Sequence, residues 1–314
     1  MFKLSMRKRE TSTDAPADAP AQSDALRIFT AERARAVRLS LPAGRVVVTV
    51  DPTAHTAKVL LRPADLTDQE AIDAIAAAEG SERRATVVST EQILHVEVPT
   101  TRSGITFGPN GSVSVVGSGS VVAVGPGSIA VGGNMVGNMI TVNGQVVTGG
   151  GAVIVGSKGV EALIVLPADG QAFISTQSAS VDLTGALDRA EVTTVSGDVE
   201  ADRVGHLKVT TTSGEVTVKQ AGNLRVKTVS GGVVADRVED GATVSTTSGE
   251  ITIDEYTGRG LLAHSISGRI SVKVHPGASG HLNAHTISGA IRVKDGAGRV
   301  STTLTSTSGK VTES

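Results

Sequence analysis

The chain has 314 residues, 29 Lys and Arg against 31 Asp and Glu, and a formal net charge of −2. That balance excludes a strongly basic nucleic-acid binder and an acidic solvating tail. Cysteine is absent, which removes disulfides, thiolate metal sites and cysteine nucleophiles. With 37 Gly, four Phe, one Tyr and no Trp, any core is built from Val, Ile, Leu, Ala and Thr.

Met1 to Asp24 is rich in Ala, Pro, Asp, Ser and Thr and cannot bury enough surface to order itself. It reads as a flexible tail, placed at residues 1–30. Its basic start, MFKLSMRKRE, has no apolar h-region behind it, and no run of eighteen apolar residues occurs anywhere. The expectation is a cytoplasmic protein without a transmembrane segment.

Residues 31–102 read as a β segment with one short helix. Val37, Leu39, Leu41, Ala43-Gly44, Val46 and Val48 alternate as in a strand, a corner and a strand, and Val59–Leu61 and Ile93–Val98 add further strands. Between them Thr67-Asp68-Gln69-Glu70 has the form of a capping box with Thr67 as N-cap. Ile72, Ile75 and Ala76 supply a helical stripe and Gly80 a C-cap, so the helix is expected to cover one end of the molecule. Residues 103–160 are a Gly-rich, low-complexity β insertion. Short runs such as Val113–Val116, Val121–Val124 and Ile129–Val131 stand between Gly-Ser-Gly and Gly-Pro-Gly turns. An extra β layer, a stack of hairpins and a mobile loop all fit this pattern.

Residues 161–314 carry an internal repeat. A Ser-Gly pair recurs at Ser196-Gly197, Ser213-Gly214, Ser230-Gly231, Ser248-Gly249, Ser267-Gly268, Ser288-Gly289 and Ser308-Gly309, at spacings of 17, 17, 18, 19, 21 and 20 residues. Ser178-Ala179 is a degenerate copy. Four residues before each Ser the position is apolar (Val192, Val209, Val226) and two before it is Thr or Ser (Thr194, Thr211, Thr228). Three and five after, it is apolar again (Val199 and Ala201, Val216 and Val218). Period-two alternation on both sides of a corner, repeated in register, predicts an all-β fold: a single-stranded β-solenoid with 17–21-residue rungs. Eight rungs make a rod roughly 38 Å long. An antiparallel meander is disfavoured, because hairpins would not keep one residue type at one offset in every repeat. The corner Gly is expected to serve by tolerating positive φ.

Little in the sequence carries chemistry. The inward Ser and Thr are expected to bond along the rod and satisfy one another. His264 and His285 share an offset on adjacent rungs, with His275 and His281 near, and are weak candidates for a metal site. Asp198, Glu200, Asp202, Glu215 and Glu250 lie on outward positions but without His or aromatic neighbours, so they read as solvated rung residues. No catalytic residue and no cofactor is expected.

The units Thr211-Thr-Ser-Gly-Glu-Val-Thr-Val218 and Thr246-Thr-Ser-Gly-Glu-Ile-Thr-Ile253 resemble the bacterial β-strand-repeat family of unknown function labelled as adhesins. The resemblance covers roughly Val37 to Thr312. It implies a β-solenoid and transfers no site residue. The expected function is therefore a non-enzymatic structural or interaction module, with an unknown protein partner. The alternative is a ligand-binding or carbohydrate-hydrolysing β-helix using the outward His or acidic rung residues. Self-association is expected through the C-terminal rung, Val300–Thr312, or through an outward apolar strip of Val195, Val229, Ile266 and Ile287.

Overall fold

A computed structural model describes residues 26–32, 34–81, 92–99 and 159–314, together with the backbone of 82–84 and of seven short strands between 104 and 147. The segment Met1–Asp24 lies outside the described residues. Strands β1 (Arg27–Ala31), β2 (Ala34–Leu41), β3 (Gly44–Val50) and β4 (Ala57–Pro63) precede helix α1 (Gln69–Ala76), which β5 (Glu79–Arg84) and β6 (Gln92–Glu97) follow. The Gly-rich region holds β7 (Gly104–Phe107), β8 (Val113–Val116), β9 (Val121–Ala123), β10 (Ile129–Val131), β11 (Met135–Val136), β12 (Met139–Val142) and β13 (Gln145–Val147). These pair antiparallel among themselves, β7 with β8, β9 with β10, and β11 with β12 with β13, so the insertion is built of hairpins.

The repeats begin with β14 (Val160–Leu166) and β15 (Gln171–Thr176). Four long strands follow, β16 (Ser180–Thr193), β17 (Val199–Thr210), β18 (Val216–Lys227) and β19 (Val233–Thr246). Each runs along one side of a rung, bends, and returns along the other. In the longer rungs the bend opens and each strand divides in two: β20 (Ile251–Tyr256) and β21 (Gly260–Ser265), β22 (Ile270–Val274) and β23 (His281–Thr286), β24 (Ile291–Lys294) and β25 (Ser301–Ser306), then β26 (Val311–Glu313).

All pairings between successive repeats are parallel, and they are in register apart from shifts near the bend in β16–β17, β18–β19 and β20–β22. On the first side one column reads Val181, Val199, Val216, Val233, Ile251, Ile270, Ile291, Val311; on the second, Ile174, Val192, Val209, Val226, Val244, Ala263, Ala284, Leu304. Down to Ile291 and Ala284 these side chains are at most 2% exposed, and they form one continuous core. The protein is a β-solenoid of about eight turns, as the repeat predicts.

The N-terminal copy of the pattern is a true rung, but it is threaded into the stack. β3 lies between β14 and the first half of β16, pairing parallel with both, so Val46 sits between Ala162 and Val181. β2 lies between β6 and β15 on the other side. The crossing is tight at Gly44 (φ +126°) and Gly159 (φ +82°): a Cβ on Gly44 would lie 2.1 Å from the Val160 carbonyl oxygen. Both positions need positive φ and no side chain.

Beyond this rung the stack is closed by antiparallel strands, β4 against β14 with β1 against β4, and β5 against β6. β1 reaches into the segment expected as tail: Arg27–Thr30 are strand, because Phe29 packs on the core and Arg27 holds the helix end. The helix covers this end as expected, with different details. Its N-cap is Asp68, which accepts from the Ala71 N–H at 3.1 Å, because Thr67 donates its hydroxyl to Asp65 at 2.7 Å in a turn of its own. The buried face is Ala71, Ala74 and Ile75; Ala76 of the expected stripe is exposed. The C-terminus is satisfied by the Arg27 guanidinium, which donates to the Ile75 and Ala76 carbonyls and opposes the helix dipole. Gly80 is not a cap but lies in β5, where a Cβ would strike the Phe29 ring at 2.2 Å.

The corner also works differently from expectation. None of the seven corner glycines has positive φ. They are glycine because rungs stack too closely for a side chain: a Cβ on Gly231 would lie 1.8 Å from the Gly214 carbonyl oxygen, and on Gly268 1.7 Å from that of Gly249. At six of the seven corners the Gly N–H donates to the hydroxyl of the Thr or Ser three residues earlier, at 3.0 Å in Gly197–Thr194 and 2.8 Å in Gly268–Ser265. In later rungs that hydroxyl donates to the corner carbonyl of the rung before, at 2.9 Å from Ser306 to Gly289. A hydroxyl-to-hydroxyl link is present between Thr176 and Thr194 at 2.9 Å. The ladder is thus mainly hydroxyl to backbone, and Thr211 Oγ1 is buried without a partner.

Two neighbouring glycines test this account. Gly231→Ala places a methyl on an immovable carbonyl and is expected to cost at least about 2 kcal/mol. At Gly232 the nearest atom to a Cβ is 3.9 Å away, and Gly232→Ala is expected to be neutral or stabilising by about 0.4–1 kcal/mol. Urea denaturation of the two variants measures the difference; equal midpoints overturn the stacking argument.

Candidate functional site

The outward residues of the second side form columns as regular as the core. Along β16, β17 and β18 the column nearest the bend is Arg189, His206, Asn223, and the next is Glu191, Lys208, Arg225. Neighbours in a column are about 4.8 Å apart and the two columns about 7 Å apart. Lys208 is bonded to Glu191 at 2.6 Å, whereas Arg189 and Arg225 make no ion pair among the described residues. On β19 and β21 the same columns continue as Gly241, Gly260 and as Thr243, Leu262. The missing side chains leave a depression of about 440 Å³, with basic groups at one end and neutral ones at the other.

Gly241 and Gly260 are unlike the corner glycines. Neither has positive φ, and a Cβ on Gly260 would meet only His281 Nε2, at 4.0 Å. Packing does not require glycine at 260, whereas a Cβ on Gly241 would lie 3.2 Å from the Asn223 Oδ1. Beneath them lies the chain's only tyrosine. Tyr256 is fully buried between Val238 and Val274 in the neighbouring rungs, filling the space that opens as the rungs lengthen. Its hydroxyl has no hydrogen bond of ordinary geometry, although the Gly260 N–H is close enough to favour the phenolate a little. Burial dominates and pushes the phenol up to about 12.

The structure brings His264 and His285 together on adjacent strands β21 and β23. Their rings stack at 5.1 Å between centroids, 10° apart, with Nδ1 to Nδ1 at 3.2 Å. The rings contact each other, and no group of three or more His, Asp or Glu converges among the described residues. His275 is elsewhere, accepting from the Gly277 N–H and 3.6 Å from Glu255, and His281 faces Gly260. The acidic candidates are placed on the first side, and three of the five, Asp198, Asp202 and Glu250, have partners within the fold. Lys219 bonds Asp202 at 2.5 Å and lowers its pKa, Asp198 accepts from the Glu215 N–H, and Glu250 lies 3.8 Å from Arg269. The seven Ser-Gly corners line one edge, each Ser exposed beside the strip of Val195, Val229, Ile266 and Ile287, which are 41–51% exposed. The depression escaped sequence reading, although two glycines outside any corner at matching offsets were a usable signal.

The Tyr256 environment makes an alkaline prediction. With the folded phenol near 12 and the unfolded one near 10, the neutral form is favoured by folding. Stability is fully present below pH 10 and declines as pH rises from 10 through 12. Tyr256→Phe is expected to abolish that decline and to leave neutral-pH stability unchanged or slightly higher, since an unbonded hydroxyl is lost. Tyrosinate absorbance of the native protein reports the same titration; a midpoint near 10 with the fold intact overturns it.

A family profile described as Toastrack DUF4097 matches residues 132–314, which span the end of the hairpin insertion and all the rungs from β14 onward. No curated protein and no solved structure matches the chain.

Proposed function

The chain belongs to the Toastrack DUF4097 family, and on that footing we propose that it is a non-enzymatic interaction scaffold that associates with a second copy through its last rung. One observation carries the reading. The core columns run unbroken to the last rung and there meet solvent: Val311 is 41% exposed and Leu304 only partly buried, where Ile291 and Ala284 beneath them are at most 1% exposed. Among the described residues β25 and β26 pair on one side only, with β23 and β24. Their outer edges offer backbone groups in strand geometry beside apolar side chains, the combination that recruits another strand. A second last rung, turned about a twofold axis, offers the same edge in return. No helix among the described residues is long and apolar enough to cross a membrane.

Light scattering across a concentration series tests this. The wild type is expected to be a dimer, and Leu304→Lys with Val311→Lys a monomer of unchanged circular dichroism. A dimer that survives both substitutions moves the interface to the corner strip of Val195, Val229, Ile266 and Ile287. A wild-type monomer at high concentration sinks the reading.

A further inference from the structure

We propose that the depression on the second side binds an acidic sugar, a hydroxylated ring bearing a carboxylate, sulfate or phosphate group. The proposal is independent of self-association, because the site is formed within one chain. Its two halves differ in chemistry, and a ligand must match both. At one end Arg189 and Arg225 are exposed and, among the described residues, free of ion pairs, with Lys208 between their rungs neutralised by Glu191. Two unpaired guanidinium groups on a flat, rigid surface present forked donors to a planar or tetrahedral anion. At the other end the surface is neutral: Gly241 and Gly260 form the floor, with the amide of Asn223 and the hydroxyl of Thr243 beside them. That end has hydrogen-bonding groups and ring-sized room but no charge.

The glycines are what turn a charged surface into a site. In the same column Arg189, His206, Asn223 and His281 all carry long side chains, and only Gly241 and Gly260 are bare. Neither close packing nor backbone conformation accounts for Gly260, since a Cβ there has open space. The volume, about 440 Å³, suits a small ligand or one or two sugar rings of a longer chain lying across the rungs. A simple polyanion would have no use for the neutral half, and a neutral sugar none for the guanidinium pair.

Calorimetric titration of the full chain uses four probes: trigalacturonate, its fully methyl-esterified neutral form, glucose 6-phosphate and tripolyphosphate. Binding is expected for one or both acidic sugars, the stronger identifying the anionic group, and not for the neutral trimer. Arg225→Gln is expected to weaken binding about tenfold, the loss of one charge-assisted contact. Gly260→Leu fills the floor without altering charge and is expected to abolish binding. Arg292→Gln, on the opposite side, is expected to change nothing. Circular dichroism and melting of each variant verify the fold; should Gly260→Leu destabilise it, Gly260→Ala serves instead, with a smaller loss expected. The proposal is overturned if neither acidic sugar binds. It is equally overturned if tripolyphosphate binds as tightly and the Gly260 variants have no effect, which reduces the site to a non-selective charge patch.

Discussion

Everything in this molecule depends on one close contact, the corner carbonyl of each rung meeting the corner glycine of the next where any other residue would hold a Cβ. The clearance is 1.7 to 2.2 Å at all seven corners, so the position admits hydrogen and nothing larger. At six of the seven corners, Gly214 being the exception, the glycine N–H turns inward to a Thr or Ser hydroxyl, which keeps a buried donor paired in a core otherwise apolar. Once the corners are superposed at this distance, the strand residues beside them stack in one register, which shifts only near the opposite bend. Val stacks on Val or Ile, and Thr on Thr, because the corner leaves no alternative alignment. Ala179, the first of the series, can carry its methyl because the corner below it is the different Pro42–Ala43 turn, to which Gln177 and Ser178 donate.

A core held this way is indifferent to what the outward columns carry, and the outward columns are where the rungs differ. The first side pairs its acids with cations of neighbouring rungs, as in Lys219 with Asp202 and Arg45 with Asp182. On the second side Arg189 and Arg225 have no ion pair among the described residues and flank the Lys208–Glu191 pair, and the next two rungs place glycine in the column nearest the bend. The opposite bend also varies: rungs of 17 residues keep one long strand, and rungs of 19 to 21 break it into two with a loop between. The larger cross-section that results is filled by Tyr256, at the cost of burying a hydroxyl with nowhere to bond.

The N-terminal segment solves a problem of repeat proteins, that a terminal rung exposes its edge and its core. It contributes one parallel rung, β2 with β3, inserted between β14 and β16, and then closes the stack with antiparallel strands and a helix. Because β3 sits between strands more than a hundred residues away in sequence, the N-terminal segment and the repeats share one buried core. The last rung has no counterpart to this arrangement among the described residues, which leaves Val311 and Leu304 in contact with solvent.

The amino-acid sequence by itself determined the architecture: the Ser-Gly period set the rung, the alternation around it set which side chains are inward, and Val37–Val48 declared itself a further copy. These are local or repetitive signals, and repetition lets one rung's geometry be read eight times over. The sequence also located the helix but misplaced its cap by one residue, because Asp65 competes for the Thr67 hydroxyl and only the folded turn decides between them. What tertiary structure alone decided depends on neighbours remote in sequence. The corner glycines answer to a carbonyl one rung away rather than to their own φ. Gly44 and Gly159 answer to each other across the threaded rung. The depression exists because unpaired arginines and bare glycines, ordinary where they stand in the chain, are brought into adjoining columns by parallel stacking at about 4.8 Å.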